Sequence, residues 1–152
     1  MHPLVRFLAT GAYSGYFPVA PGTAGSVVGV IIGELVFAPI WSRSPSIFLL
    51  LFAVLFVGGC VVAGQAERET GKHDDSKIVI DEVFGMTAAM FLIPSGWPWL
   101  ITAFALFRVL DVIKPWPASY FDSVHGGGGI MLDDLCAGIY VTVALHIAHL
   151  IV

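Results

Sequence analysis

The sequence predicts an all-α fold: a compact multi-helix bundle whose several apolar helices are embedded in a membrane. Three observations predict it. Of the 152 residues, 57% are hydrophobic and only 12% charged, with a mean hydropathy of +0.88, whereas soluble domains carry about 25% charged residues. The apolar residues gather into runs of helical length. Ten of the eleven acidic residues fall within 67–82 or 111–134, Glu34 being the exception. The length suits one domain, residues 1–152. The net charge of -4 offers no basic face, so no nucleic-acid partner is expected.

Residues 1–26 are rich in Gly, Pro, Ser and Thr and lack the long apolar core and cleavage site of a signal peptide. They read as an interfacial segment, with Ser26 as N-cap of the next helix. An apolar run over 27–41, interrupted by Glu34, ends in the turn Ser42-Arg43-Ser44-Pro45-Ser46. Residues 47–64 are 18 positions without a charge, about the length of a membrane-spanning helix. The first polar segment, 67–82, follows. Residues 83–107 are uncharged, but Pro94-Ser95-Gly96-Trp97-Pro98 breaks them into two shorter helices. The second polar segment leads into a last apolar run over 135–152, with His146 and His149 near its end as interfacial residues. Cys60 and Cys136 have neither metal-ligand spacing nor a disulfide framework and read as buried reduced thiols.

If all five runs cross, parity places the N-terminus and both polar segments on one face. That face then holds Arg6, Arg68, Lys72, Lys77, Arg108 and Lys114, against Arg43 alone on the other. The positive-inside rule makes the first face cytoplasmic. The runs starting at Val27, Val83 and Trp97 are short for full spans and fit buried core helices as well.

Two vicinal acid pairs stand where apolar helices begin: Asp81-Glu82 and Asp133-Asp134. Acids early in a helix favour the dipole, so each pair alone has an innocent explanation. Together with Asp111 they form a constellation suited to a hard cation such as Mg²⁺, which takes carboxylate oxygens, waters and substrate phosphate. Lys77 lies four residues before Asp81, so on a helix the two share a face. Arg108 and Asp111 are one turn apart, and Lys114-Pro115-Trp116-Pro117 ends their helix. Trp116 and Tyr120 have the character of membrane-interface residues. His125 followed by Gly126 to Gly129 reads as a mobile loop whose amides could approach an anion. Pro21-Gly22-Thr23-Ala24-Gly25-Ser26 offers backbone and hydroxyl donors at a helix start. Phosphoryl-transfer sites combine carboxylates, divalent metal and a cationic clamp, and the components of such a site for a phosphorylated lipid are present.

At these residues the sequence resembles the phosphatidylglycerophosphatase A family. The resemblance rests on Ser14-Gly15 with Pro21-Gly22-Thr23 to Gly25-Ser26, on 77–86 (KIVIDEVFGM), and on 107–138 (FRVLDVIKPWP and VHGGGGIMLDDLCAG), in order across residues 10–140. It implies a Mg²⁺-dependent phosphatase that hydrolyses phosphatidylglycerophosphate to phosphatidylglycerol and inorganic phosphate during phospholipid biosynthesis. It also implies a helical, multi-pass protein of the bacterial inner membrane with its site on the cytoplasmic face. The family's acidic motifs fall on Asp81, Glu82, Asp111, Asp133 and Asp134, as metal ligands. The basic ones fall on Lys77, Arg108 and Lys114.

The mechanism expected is in-line attack by water on the headgroup phosphate, although an aspartyl-phosphate intermediate is equally compatible with the residues. Asp81, Asp111, Asp134, Lys77, Lys114 and Arg108 carry the catalysis. Thr23, Ser26, Lys77, Arg108, Lys114 and His125 contact the substrate phosphate. The partners expected are this lipid and the membrane, and a homo-oligomer is compatible with the chain. Competing readings are a lipid phosphatase acting on phosphatidic acid, one with a histidine nucleophile, and a small transporter or ion-binding protein using its intramembrane acids.

Overall fold

Prolines open most of the helices, because their missing N–H and fixed φ suit a first turn. The computed structural model describes residues 1–72, 75–91, 93–94 and 96–151. His73 and Asp74 of the first polar segment, and Ser95 of the break, lie outside the described residues. Helix α1 (Pro3–Ala9) is followed by a short 3₁₀ turn and then α2 (Pro21–Ile32). Helix α2 passes through a π-helical turn, Gly33–Phe37, into α3 (Ala38–Arg43), so one helix runs from Pro21 to Arg43. After the turn at Ser44 come α4 (Pro45–Thr70), α5 (Ile80–Ala89), α6 (Trp97–Ile113), α7 (Ala118–Asp122) and α8 (Gly127–Ile151). Gly71 closes α4 at φ 68°, and Lys114 closes α6 at φ 48° just before Pro115. No strand occurs among the described residues, as the all-α expectation requires.

Among the described residues, three helices are long and apolar enough to cross a membrane: Pro21–Arg43, Pro45–Thr70 and Gly127–Ile151. Their outward side chains are large and oily, among them Leu35, Leu50, Val57, Val61 and Leu150. In water such a surface would aggregate; in hydrocarbon it is the solvated face. The five-run expectation is therefore refined. The run from Val27 belongs to a full-length helix that begins earlier, whereas α5 has 10 residues and α6 has 17. These two form a hairpin that starts and ends at the same end of the bundle.

Helix α5 is the centre of the packing. It is buried along most of its length, with α8 on one side and α2 on the other. Glycines make this approach close. A Cβ on Gly85 would lie 2.6 Å from the Asp134 carbonyl oxygen, and one on Gly138 would strike the Gly85 carbonyl oxygen. Backbone against backbone is how helices associate where lipid supplies no hydrophobic drive. An apolar cluster of Met86, Ala89, Ala103, Phe107, Ala137, Val141 and Leu145 fills the space between α5, α6 and α8.

Two sequence expectations about helix starts are corrected. Ser26 is not an N-cap: it lies in the second turn of α2, buried, and its hydroxyl donates to the Gly22 carbonyl at 2.9 Å. The glycine run is not a loop: α8 begins at Gly127, and a Cβ on Gly127 or Gly129 would collide with the Cys60 or Val124 carbonyl oxygen. The glycines are the price of seating the first turn of α8 against α4 and the α7 exit. Cys60 and Cys136 are free thiols but only partly buried. His146 donates from Nδ1 to the Thr142 carbonyl oxygen at 2.8 Å, and His149 packs edge-on against Trp99, so neither faces an acid cluster.

Candidate metal and phosphate site

The acids meet at the end of the bundle where α5 begins and α6 finishes. Asp81 and Glu82 come from the first turn of α5, and Asp134 from the second turn of α8. One carboxylate oxygen from each lies within 4.8 Å of the others. Asp81 and Asp134 are 5% and 2% exposed. Glu82 keeps some exposed surface, but its Oε2 is buried, and neither that atom nor Asp134 Oδ2 has a hydrogen-bond partner among the described residues. Buried polar atoms are nearly always satisfied, so orphaned carboxylate oxygens aimed at one another need an explanation. An all-oxygen donor set of this kind fits a hard divalent cation.

The electrostatics agree. Burial pushes the Glu82 carboxyl up to about 8, and the charges of Asp134 and Asp111 push the same way, while a hydrogen bond with Asp81 and the Arg108 guanidinium partly offset them. Asp111 thus stands beside the trio without belonging to it. It is paired with Arg108, Nη1 to Oδ2 at 2.8 Å. Arg108 also donates from Nη1 to Ser26 Oγ at 3.2 Å, tying α6 to α2. Gly22 keeps the space open, since a Cβ there would run into Glu82 Oε1 and lie 3.2 Å from Arg108 Nη2. Thr23 is its neighbour in the first turn of α2.

Asp133 and Lys114 are occupied elsewhere. Lys114 Nζ donates to Asp133 Oδ2 at 2.6 Å and also to Asp122. Burial disfavours the Lys114 charge, but Asp122 and Asp133 outweigh it and hold its pKa above that of an ordinary lysine. Asp133 Oδ1 also accepts from the Asp134 backbone N–H at 2.8 Å. This clamp fixes the 114–126 stretch to α8. Lys77 is exposed, with its ammonium 5.5 Å from the centre of the Tyr16 ring. His125 is exposed ahead of α8, seven residues and about 10 Å of helix rise beyond Asp134 when measured from Gly127.

The structure therefore brings together Asp81, Glu82, Asp134, Asp111, Arg108 and Ser26, with Thr23 alongside. It does not bring Asp133, Lys114, Lys77 or His125 into the same cluster. Sequence reasoning gave no role to Gly85, Gly138 or Asp122, and read Gly22 only as part of a donor segment and not as the space beside Glu82 and Arg108. A signal for two of them existed: Asp81–Gly85 and Asp134–Gly138 are both i, i+4 pairs, which places each acid and its glycine on one helix face.

The family model described as Phosphatidylglycerophosphatase A matches residues 7–149. A Haemophilus influenzae protein named Phosphatidylglycerophosphatase A is 39% identical over 143 residues, covering 93% of this chain and 86% of its own. An Escherichia coli protein of the same name is 37% identical over 140 residues, covering 88% and 77%. A Bacteroides thetaiotaomicron protein with the provisional name phosphatidylinositol-3-phosphatase is 33% identical over 154 residues, covering 95% and 93%. No solved structure matches the chain significantly.

Proposed function

Because the chain belongs to the phosphatidylglycerophosphatase A family, we propose that it is a single-domain lipid phosphatase. It hydrolyses phosphatidylglycerophosphate to phosphatidylglycerol and inorganic phosphate, in phospholipid biosynthesis. The observation that carries this reading is the trio Asp81, Glu82 and Asp134 at the head of an otherwise oily bundle, with Arg108 at its edge. The metal proposed is Mg²⁺, held by Asp81, Glu82 and Asp134 with Asp111 beside them. A hard divalent cation bound there supplies charge neutralisation for the phosphate oxygens and acidifies a water nucleophile.

The chain's own residues do the rest. Arg108, oriented by Asp111 and Ser26, presents its remaining donors to the phosphate and offsets charge developing on it. The first-turn amides of α2, with Thr23, face the same anion at a helix N-terminus. Water attack breaks the terminal P–O ester bond, and the freed glycerol oxygen leaves with a proton. Lys114 and Asp133 act by positioning: they hold α8 and the α6–α7 connection in place around Asp134. Lys77 and His125 belong to the rim.

The apolar helices keep the diacyl tails in the bilayer while the headgroup enters. The membrane is the bacterial inner membrane, with the site cytoplasmic, because that end of the bundle carries Arg6, Arg68, Lys72, Lys77, Arg108 and Lys114 while the opposite end carries Arg43. One relative's name gives a second headgroup to compare, a phosphoinositide.

The test is phosphate release in detergent from phosphatidylglycerophosphate beside phosphatidic acid and phosphatidylinositol 3-phosphate, with and without Mg²⁺. Phosphatidylglycerophosphate is expected to be turned over fastest, with loss of activity in chelator and recovery on adding Mg²⁺. Asp134→Asn is expected to lower this activity at least about 100-fold, as removal of a charge-stabilising group at a reacting centre does. Wild-type turnover by that variant sinks its assignment as a ligand.

A further inference from the structure

The helix Pro21–Arg43 and the α5–α6 hairpin are level with one another at the Arg108–Ser26 hydrogen bond. Their far ends are not level. By helix rise, Arg43 stands about 25 Å beyond Ser26, whereas Trp97, where α6 begins, stands about 16 Å beyond Arg108. The hairpin therefore turns back within the depth of hydrocarbon that the long helices cross. A cavity of about 740 Å³ lies against its turn. Met90, Ile93, Pro94 and Gly96 form one side of it. The facing side is the Pro21–Arg43 helix, with Phe48 from the start of α4.

The described residues of the α5–α6 turn are not helical, and Gly96 is exposed. Non-helical backbone at membrane depth is tolerated where it is buried in protein or lines a wet cavity. Water therefore reaches this cavity. Glu34 lines it, is exposed, and is the only charged residue in the lining among the described residues. It has no ion pair among the described residues. It also sits in the π-helical turn Gly33–Phe37, a distortion frequent at functional sites. A carboxylate within a membrane pairs with a cation. No lysine, arginine or histidine lines the cavity, so that cation comes from outside the chain.

Two observations select its class. A hard divalent metal takes six or more oxygens, and the only other side-chain oxygen of the lining, the Thr87 hydroxyl, is donated to the Val83 carbonyl oxygen at 2.7 Å. Aromatic rings, in contrast, are plentiful. Trp97 is 76% exposed. Trp41 is backed by Phe48 and Phe91, with ring centres 5.4 and 4.7 Å away. Tryptophan is the strongest cation–π partner, and aromatic-lined pockets are how quaternary ammonium ligands are held.

We infer that this cavity is a binding site for an organic ammonium group, with Glu34 as its counter-ion and Trp41 and Trp97 as its aromatic walls. It lies toward the face opposite the acid cluster. The ammonium belongs either to a lipid headgroup of that leaflet or to a free amine, and both present the same cation to Glu34. No residue of the acid cluster takes part, so the site stands apart from the proposed reaction.

The experiment uses the full chain in a maltoside detergent, with Trp99→Phe and Trp116→Phe so that emission comes from the two cavity tryptophans. Choline and ethanolamine are titrated beside Mg²⁺ and the neutral isostere of choline, in which carbon replaces nitrogen. Both amines should give a saturable change, and the neutral isostere should not compete. Glu34→Gln keeps the shape of an exposed residue and should weaken amine binding at least about tenfold, as loss of one partner of a charge pair does. Ala38→Phe fills the cavity from an exposed position and should abolish binding. Equal binding of the neutral isostere, unchanged affinity in Glu34→Gln, displacement of choline by equimolar Mg²⁺, or no saturable signal from either amine overturns the inference. Dihexanoyl phosphatidylethanolamine compared with ethanolamine then tells the two sources apart: tighter, Glu34-dependent binding of the lipid assigns a headgroup, and tighter binding of ethanolamine assigns a free amine. Phosphate release is not read, so failure of the proposed phosphatase activity leaves these outcomes standing.

Discussion

Replacing Glu82 with Gln should stabilise the metal-free protein above about pH 8 while disabling it. In the absence of a cation the Glu82 carboxyl is held up to about 8, first by burial and then by Asp134 and Asp111, against an ordinary value of 4.5. Between those two values the folded chain keeps a proton that the unfolded chain has lost. Stability must therefore fall as pH rises across this window and level off above it. Glutamine keeps the shape and carries no charge, so it removes this component of the decline. Two unit charges within 4.8 Å repel by roughly 3.5 kcal/mol at an effective dielectric of about 20. Protein relaxation reduces that figure. The expected gain at about pH 9 is about 2–4 kcal/mol, or roughly 5–15 °C in melting temperature for a chain of this size. At about pH 6 wild type and variant should melt close together. The assay is tryptophan-fluorescence melting in detergent and chelator at both pH values, repeated with excess Mg²⁺. There the wild type should gain and the variant should gain less. A variant that melts below wild type at the higher pH refutes the reasoning, as does a wild-type melting temperature indifferent to pH.

Gly22→Val places a branched side chain against Glu82 Oε1 and Arg108; phosphate release should drop at least about 100-fold, the usual consequence of roughly 1 Å of misplacement at a reacting centre, with the melting temperature nearly unchanged. Lys114→Met takes the cation from buried Asp133 and should cost about 3–5 kcal/mol, read by chemical or thermal unfolding; adding Asp133→Asn should recover much of it. Gly138→Leu drives a side chain into the Gly85 backbone and should prevent α5 and α8 from seating, so that folded protein is lost in size-exclusion profiles. Gly58→Ala is its control: nothing lies near that position, and the substitution should be neutral or stabilising by up to about 1 kcal/mol.

The apolar helices were legible because hydropathy is a property of composition over a window, and no tertiary contact changes it. Their starts were not. Ser26 has the chemistry of an N-cap, but Pro21 nucleates the helix a turn earlier, and the hydroxyl turns inward to the Gly22 carbonyl and to Arg108. The four glycines read as a loop because glycine is a poor helix former. Close contact with α4 overrides that propensity at Gly127, where any side chain would strike the Cys60 carbonyl. The site acids were visible as vicinal pairs, but the division of labour within a pair was not. Adjacent residues on a helix point about 100° apart, so Asp134 turns to the trio while Asp133 turns to Lys114. Glu82 escapes this geometry because its longer side chain reaches back to Asp81. Nothing local to Lys114 announces Asp122, eight residues on, as its partner.

The same magnitudes decide what the acids at the start of α5 are for. A carboxylate in the first turn gains about 0.3–1 kcal/mol from the helix dipole. That would account for an exposed Asp81 or Glu82. It does not account for these two held with Asp134 in a buried space, where each ionised pair costs roughly 3.5 kcal/mol and oxygens of Glu82 and Asp134 have no donor among the described residues. Helix-start chemistry is several-fold too weak to offset the repulsion it would have to explain. Asp134 gains nothing from it, since it lies beyond the first turn of α8. Arg108 stands close enough to temper Glu82, but its ion pair and hydrogen bond go to Asp111 and Ser26. A cation between the three carboxylates turns each repulsive pair into a shared attraction and supplies the missing partners. This is why removing one of the acids should make the metal-free chain more stable and the loaded chain inert.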